Sequence, residues 1–257
     1  DDSCISFSAL TNNIERNRWI DIVFIPGINR HVAVALDGTN RAAYSDDDGA
    51  TWTAVLVTLD EWVAIARNAT TGTLVAGAQT TTGTHVMRST DNGATWTGLT
   101  SIPANQIRDI IHIPGTDRFV AACLTGGKML VSTDDGLTWS AVSAAAANAW
   151  TCLAYSVSRA TLVSLANTGT NRIQYSLDQG DTWIIVVAGG GVNWRNVCND
   201  PTLDLFVGVA EFAAAASCVI TSTTGLVWTS ITGASGSRWQ HVASLPAPIS
   251  KILAVAV

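Results

Sequence analysis

The sequence predicts an all-β protein, a six-bladed β-propeller of four-stranded antiparallel blades in which the N- and C-terminal segments share the sixth blade. Two interleaved series and one recurring turn carry that expectation. Trp52, Trp96, Trp139, Trp183 and Trp228 recur at intervals of 44, 43, 44 and 45 residues, each closing a short Gly-containing stretch. Trp19, Trp62, Ile107, Trp150, Trp194 and Trp239 form a second series at intervals of 43, 45, 43, 44 and 45. A period in the low forties, filled with short β-type runs and turn residues, is that of a propeller blade.

The first unit reads as four strands: an innermost A in "RWIDIVFIP", B in "RHVAVAL", C in "RAAYS" and D in "TWTAVLV". Turn chemistry separates them, with "PGIN", "DGTN" and "DDDG" supplying the residues that reverse a chain. Later units repeat the plan, and their strands are apolar at nearly every position, as expected where stacked blades bury both faces of each sheet. Five complete units run from about residue 19 to 238. A sixth begins at "WQHVASLPAPISKILAVAV", and the N-terminal "CISFSAL" is expected to close it as strand D, so that residues 1–257 make one domain. Residues 239–257 and 1–18 together fall about one strand short of a full unit, and strand C is expected to be missing or supplied from elsewhere. An edge left unpaired in this way invites another strand, so self-association or a neighbouring chain is expected near Cys4 to Leu10 and Lys251 to Val257.

Composition narrows the function classes. The charged fraction is 13%, about half that of an ordinary globular domain, and only Lys128 and Lys251 are lysines. That balance suits an extracellular, cell-surface or virion protein better than a cytosolic enzyme. The net charge of −6 and the lack of any Lys/Arg cluster argue against a nucleic-acid partner. No apolar run approaches the roughly 18 to 20 residues of a membrane span. The five cysteines (Cys4, Cys123, Cys152, Cys198, Cys218) are widely spaced, with no C-x-x-C and no nearby His, so no metal site is expected. They read as buried thiols, with one or two disulfides as the alternative.

The recurring turn is "YSDDDGATW", echoed by "RSTDNGATW", "VSTDDGLTW" and "YSLDQGDTW" and, in worn form, by "ITSTTGLVW". Its pattern places Ser45, Asp47, Gly49 and Trp52; Ser89, Asp91, Gly93 and Trp96; Ser132, Asp134, Gly136 and Trp139; and Ser176, Asp178, Gly180 and Trp183 in register. In the worn copy Thr223 reads as the replacement for the Asp and Val227 for the Thr. An Asp inside a tight hairpin accepts from backbone N–H groups of its own turn, and Gly takes the positive φ. The acids are therefore expected to be fold staples. A calcium loop would need a Glu six residues past Gly49, where Val55 stands, and no cofactor is implied. The pattern Ser-x-Asp-x-Gly-x-Thr-Trp resembles the Asp-box, or BNR repeat, of the sialidase-like propellers. That resemblance implies catalytic residues that do not carry over. The Ile-Pro positions read "FIP" and "HIP" without the Arg, and neither the Tyr/Glu pair nor further clamping Arg can be matched.

The resemblance also covers glycosidases, receptors, assembly factors and phage modules. The candidate binding residues gather at the starts of inner strands, the mouth of the propeller channel: Asp21, Arg108, Asp109, Arg195, Asn196, Arg238 and His241. A glycan or a protein surface is the expected partner there, on a non-catalytic binding or assembly module. The alternative is a glycoside hydrolase using Asp21 and Asp109, which hold the same place in units one and three, since such enzymes need two carboxylates about 5 to 10 Å apart.

Overall fold

A computed structural model describes residues 14–80, 83–100, 102–103, 105–187, 192–211, 218–231, 238–245 and 251–256. The chain is a six-bladed β-propeller. Blade one consists of β1 (Trp19–Ile25), β2 (Arg30–Ala35), β3 (Ala42–Ser45) and β4 (Thr53–Val55). Blade two is β5 (Trp62–Arg67), β6 (Leu74–Ala78), β7 (Val86–Ser89) and β8 (Thr97–Leu99), and blade three β9 (Ile107–His112), β10 (Phe119–Cys123), β11 (Lys128–Ser132) and β12 (Ser140–Ser143). Blade four is β13 (Ala149–Ser156), β14 (Thr161–Thr168), β15 (Ile173–Ser176) and β16 (Ile184–Val186), and blade five β17 (Asn193–Asp200), β18 (Leu205–Glu211), β19 (Val219–Ser222) and β20 (Thr229–Ser230). Blade six contributes β21 (Trp239–Leu245) and β22 (Lys251–Ala256). Among the described residues all strand pairings are antiparallel between consecutive strands, and one 3-10 turn at Pro26–Ile28 interrupts the β structure. The N-terminal run expected as the closing strand lies outside the described residues, as does Cys4.

The blades stack through their apolar faces. Trp62, Ile107, Trp150 and Trp194, all members of the second series, are each 0–1% exposed. The Trp62 and Trp150 indoles donate to the Thr58 and Ala146 carbonyls at 3.1 and 3.2 Å. Below them a second contact recurs. In blades two to five the turn glycines Gly93, Gly136, Gly180 and Gly225 lie against Val32, Val75, Val120 and Val163 of the preceding blade, so that a Cβ added at Gly136 would fall 2.4 Å from Val75 Cγ2.

The seam between blades six and one breaks the pattern. Ile22 shares its register with Ile65, Ile110, Leu153, Val197 and Val242, which are 3–5% exposed, yet it is 52% exposed. On the other side Leu253 and Val255 are 52% and 59% exposed, where Val32 and Val34 of blade one are fully buried. The strand β1 accordingly alternates in burial, whereas β5 and β6 are apolar and buried along nearly their whole length. An apolar cavity of about 310 Å³ lined by Ile14, Trp19, Ile20, Ile22, Ala33 and others opens on this side of blade one.

The recurring turns adopt one geometry four times. In the first, Gly49 N–H donates to Ser45 Oγ (2.9 Å), Ser45 Oγ to Asp47 Oδ1 (2.8 Å), and Thr51 N and Oγ1 to the two Asp47 oxygens (2.8 and 2.6 Å). The Trp52 indole caps the turn by donating to the Gly49 carbonyl at 3.1 Å. Asp91, Asp134 and Asp178 are held in the same way by Thr95, Thr138 and Thr182. The residue before each Gly (Asp48, Asn92, Asp135, Gln179) also takes positive φ. The fifth copy differs from the sequence expectation. Ser222 pairs with Phe206 just as Ser132 pairs with Phe119, and its Oγ accepts from Gly225 N only three residues on. The turn is therefore one residue shorter, lacking the positive-φ residue before the Gly, and Thr224, not Thr223, stands in the place of the Asp, its amide donating to Ser222 Oγ as that of Asp47 does to Ser45 Oγ. Thr224 Oγ1 instead accepts from Leu226 N at 3.2 Å.

Candidate functional site

Each of the six inner strands carries a register shift directly beside its ring residue, at Trp19/Asp21, Trp62/Ala64, Trp150/Cys152, Trp194/Asn196 and Trp239/His241, and opposite Ala122/Cys123 for Ile107. A β-bulge re-aims the extra residue. Those six residues are Ile20, Val63, Arg108, Thr151, Arg195 and Gln240, and all six line one cavity of about 280 Å³, together with Asp21, Asp109, Asn196 and His241 from the next position. The repeated irregularity thus builds a ring of one side chain per blade around the channel mouth.

Of the residues expected at the mouth, Asp21, Arg108, Asp109, Arg195, Asn196 and His241 meet in this cavity. Arg238 does not: it is exposed and forms an isolated antiparallel bridge with Glu211 outside the ring. Ile20, Val63 and Thr151 were not singled out from the sequence; their signal was their place, one residue after each member of the second series. Three of the four polar positions at +2 tie blades directly. Asp21 accepts from Ile22 N at 2.8 Å and from Ile65 N of blade two at 2.9 Å. Asp109 accepts from Leu153 N of blade four at 2.7 Å and from the Ile110 amide. Asn196 repeats the reach from blade five to Val242 N of blade six at 3.3 Å. Between blades four and five the link is Thr151, whose Oγ1 donates to the Trp194 carbonyl at 3.2 Å.

Three charged groups in the cavity are perturbed. Burial pushes Asp109 up to about 7, its two backbone hydrogen bonds oppose this, and the charge on Asp21 adds to the rise. Burial also raises Asp21, against the bonds from Ile65 and Ile22 and the nearby His241. Arg195 is lowered, first by burial and then by the like charge of Arg108. Arg195 pairs with Glu211 through Nη2, while its Nε is buried with no hydrogen-bond partner. Arg108 Nη1 donates to Gln79 Oε1 at 3.2 Å. Cys152 lies beside Asp109, buried and raised in pKa by desolvation and by that neighbour. Cys123 and Cys198 are likewise unbridged thiols, pushed up by burial to about 12 and about 11. No group of His, Cys, Asp and Glu among the described residues is arranged to hold a metal ion, and no described helix is long and apolar enough to cross a membrane.

A ring of bulge residues around a polar, charge-mixed channel mouth defines a propeller with a central ligand-sized cavity. Neither a family model nor a curated protein sequence matches this chain. Solved structures do. The chain is similar to YCF48 bound to a D1 peptide, with a TM-score of 0.66 and 14% identity over 93% of this chain and 75% of that one. It is similar to an ancestral GH74 enzyme, with a TM-score of 0.75 and 17% identity over 94% of this chain and 35% of that one. It also resembles the GH74 xyloglucanase from Xanthomonas campestris, with a TM-score of 0.63 and 15% identity over 79% of this chain and 36% of the enzyme. The chain spans about a third of the length of those GH74 enzymes, and identities in this range show the fold.

Proposed function

We propose that the protein is a non-catalytic binding or assembly module, secreted or displayed on a cell surface, phage or other particle, in which an Asp-box scaffold presents the central cavity to a glycan or a protein surface. The observation that carries this reading is the employment of Asp21 and Asp109. Each accepts N–H groups from its own strand and from the next blade. A glycosidase acid gives up and regains a proton at the scissile oxygen in every turnover. A carboxylate that also joins two blades is poorly placed for that duty. The peptide held by YCF48 supports a protein surface as a partner, and the apolar seam between blades six and one supports contact with a second copy or a neighbouring chain.

The second reading, a glycoside hydrolase of the Asp-box type, is favoured by one observation: Asp109 sits at about 7, where a general acid works, in the same cavity as Asp21. One experiment separates the two. A panel of xyloglucan, xylan, pectic and bacterial cell-wall glycans is tested for binding and for release of reducing ends, with wild type, Asp21→Asn and Asp109→Asn. Binding without turnover, retained in both variants, is the expected result. Turnover that either variant abolishes would overturn the binding reading.

A further inference from the structure

We infer that the central cavity seats an oxyanion, a carboxylate or sulfate group, between Arg108 and Arg195 above Thr151, and that a proton on Asp109 admits it. This rests on the reading of the cavity as a binding site and names its ligand chemistry and its control. The acceptors of the cavity are already employed. Asp21 and Asp109 hold backbone amides of two blades, and Asn196 Oδ1 holds Val242 N. The donors are not. Arg195 keeps a buried Nε with no partner, and Arg108 and Arg195 stand two blades apart on the bulge ring, close enough for one guanidinium to act on the other. Two like charges brought together over an unfilled donor are relieved by one shared anion.

The same geometry explains the control. Asp109 faces Asp21 from β1, Arg108 from its own strand and Cys152 from β13; His241 of β21 acts on Asp21, and Glu211 of β18 already pairs with Arg195. With all three carboxylates ionised, the two arginines leave the cluster with a net negative charge, before any charge on His241, and an anion is repelled. A proton on Asp109 removes that excess and turns an acceptor into a donor. Burial and the charge of Asp21 hold Asp109 at about 7, so the change falls within the range of ordinary environments.

Amide chemical shifts of Leu153 and Ile65 report the seat. Sodium sulfate and sodium acetate are titrated separately into the full-length protein at about pH 5.5 and about pH 8, and both anions are expected to bind roughly tenfold more tightly at the lower pH. Asp109→Asn should bind at the higher pH as wild type does at the lower, and a His241→Gln background removes any share of the imidazole. Arg195→Gln should lose roughly tenfold at both pH values. Equal affinity of wild type at the two pH values, or a full pH dependence surviving in Asp109→Asn, would overturn the inference. A neutral glycan or a protein that binds the mouth equally well at both pH values and ignores Arg195→Gln would also sink it, while leaving the binding module intact. Catalytic turnover would do the reverse.

Discussion

Replacing Asp109 by Asn should stabilise the protein by an amount that grows from about pH 4 and is complete above about pH 7. The blade-five counterpart of this position is already Asn196, whose Oδ1 reaches Val242 N as Asp109 Oδ2 reaches Leu153 N. The substitution therefore keeps the inter-blade acceptor and removes a charge that burial disfavours. Asp109 is raised from 3.8 to about 7. A carboxyl with a raised folded pKa binds more protons folded than unfolded between those values, so stability falls as pH rises from about 4 to about 7 and is level above. At about 1.4 kcal/mol per unit the linkage has an upper bound near 4 kcal/mol. The partial exposure of the side chain reduces this to about 1 to 2 kcal/mol, or roughly 2 to 6 °C in a chain of this size. Differential scanning calorimetry at pH values from about 4 to 8 is the assay. The variant should melt with wild type at the acid end and above it at the basic end. A variant that is less stable than wild type at the basic end, by a margin that shrinks towards the acid end, would show that the charge-assisted bond to Leu153, worth about 1.5 to 3 kcal/mol in such cases, outweighs desolvation, and the reasoning would fail.

Other outcomes follow from the same geometry. Gly136→Ala should cost about 3 kcal/mol and Gly49→Ala about 1, because both have φ above +80° but only Gly136 meets a neighbouring blade, with Val75 at 2.4 Å; urea melts yielding equal costs would contradict the blade-packing role. The turn acids Asp47, Asp91, Asp134 and Asp178 are all held below the usual carboxylate value, Asp47 chiefly by Thr51, and the others by Thr95, Thr138 and Thr182 against burial. Their contribution is present above the unfolded pKa and lost as pH falls below about 4, so thermal stability should peak between about pH 4 and 6, and Asp134→Asn should flatten the acid limb. Ile22→Ser should cost under about 0.5 kcal/mol where its register-mate Leu153→Ser costs about 3 or more. The same exposed seam should support association: sedimentation velocity at micromolar concentration is expected to show a species larger than the monomer, weakened by Leu253→Ser, and a strict monomer would refute this.

The fold was legible because a propeller repeats its instructions. One Trp series reports the buried ring, the other the hairpin cap, and each hydrogen bond of the turn closes within seven residues, so local spacing shows it. What is not local was hidden. The bond from Asp21 to Ile65 spans 44 residues, and so does that from Asp109 to Leu153; nothing in "WIDIV" or "IRDII" says that the next blade will bring an amide to the carboxylate. The same spacing rule hid a second joint that was within reach: Asn17 and Asn148, two residues before their ring markers, donate to the turns at Asn40 and Thr170, with Gly38 and Gly169 directly against them. The fifth turn was misaligned because counting back from Gly225 assumes a turn of constant length, while the strand pairing of Ser222 with Phe206 fixes the true register. The same distinction governs the site. Arg108 and Arg195 were visible as polar residues near a strand start, but Ile20, Val63 and Thr151 are their equals only because a bulge turns one residue per blade toward the axis. A bulge is a property of the pairing between two strands, and a single strand's sequence does not contain it. The position that looks catalytic, an acid repeated two blades away, is in consequence the position most committed to the scaffold. On the proposed reading, the chemistry left to a ligand belongs to its neighbours on the bulge ring.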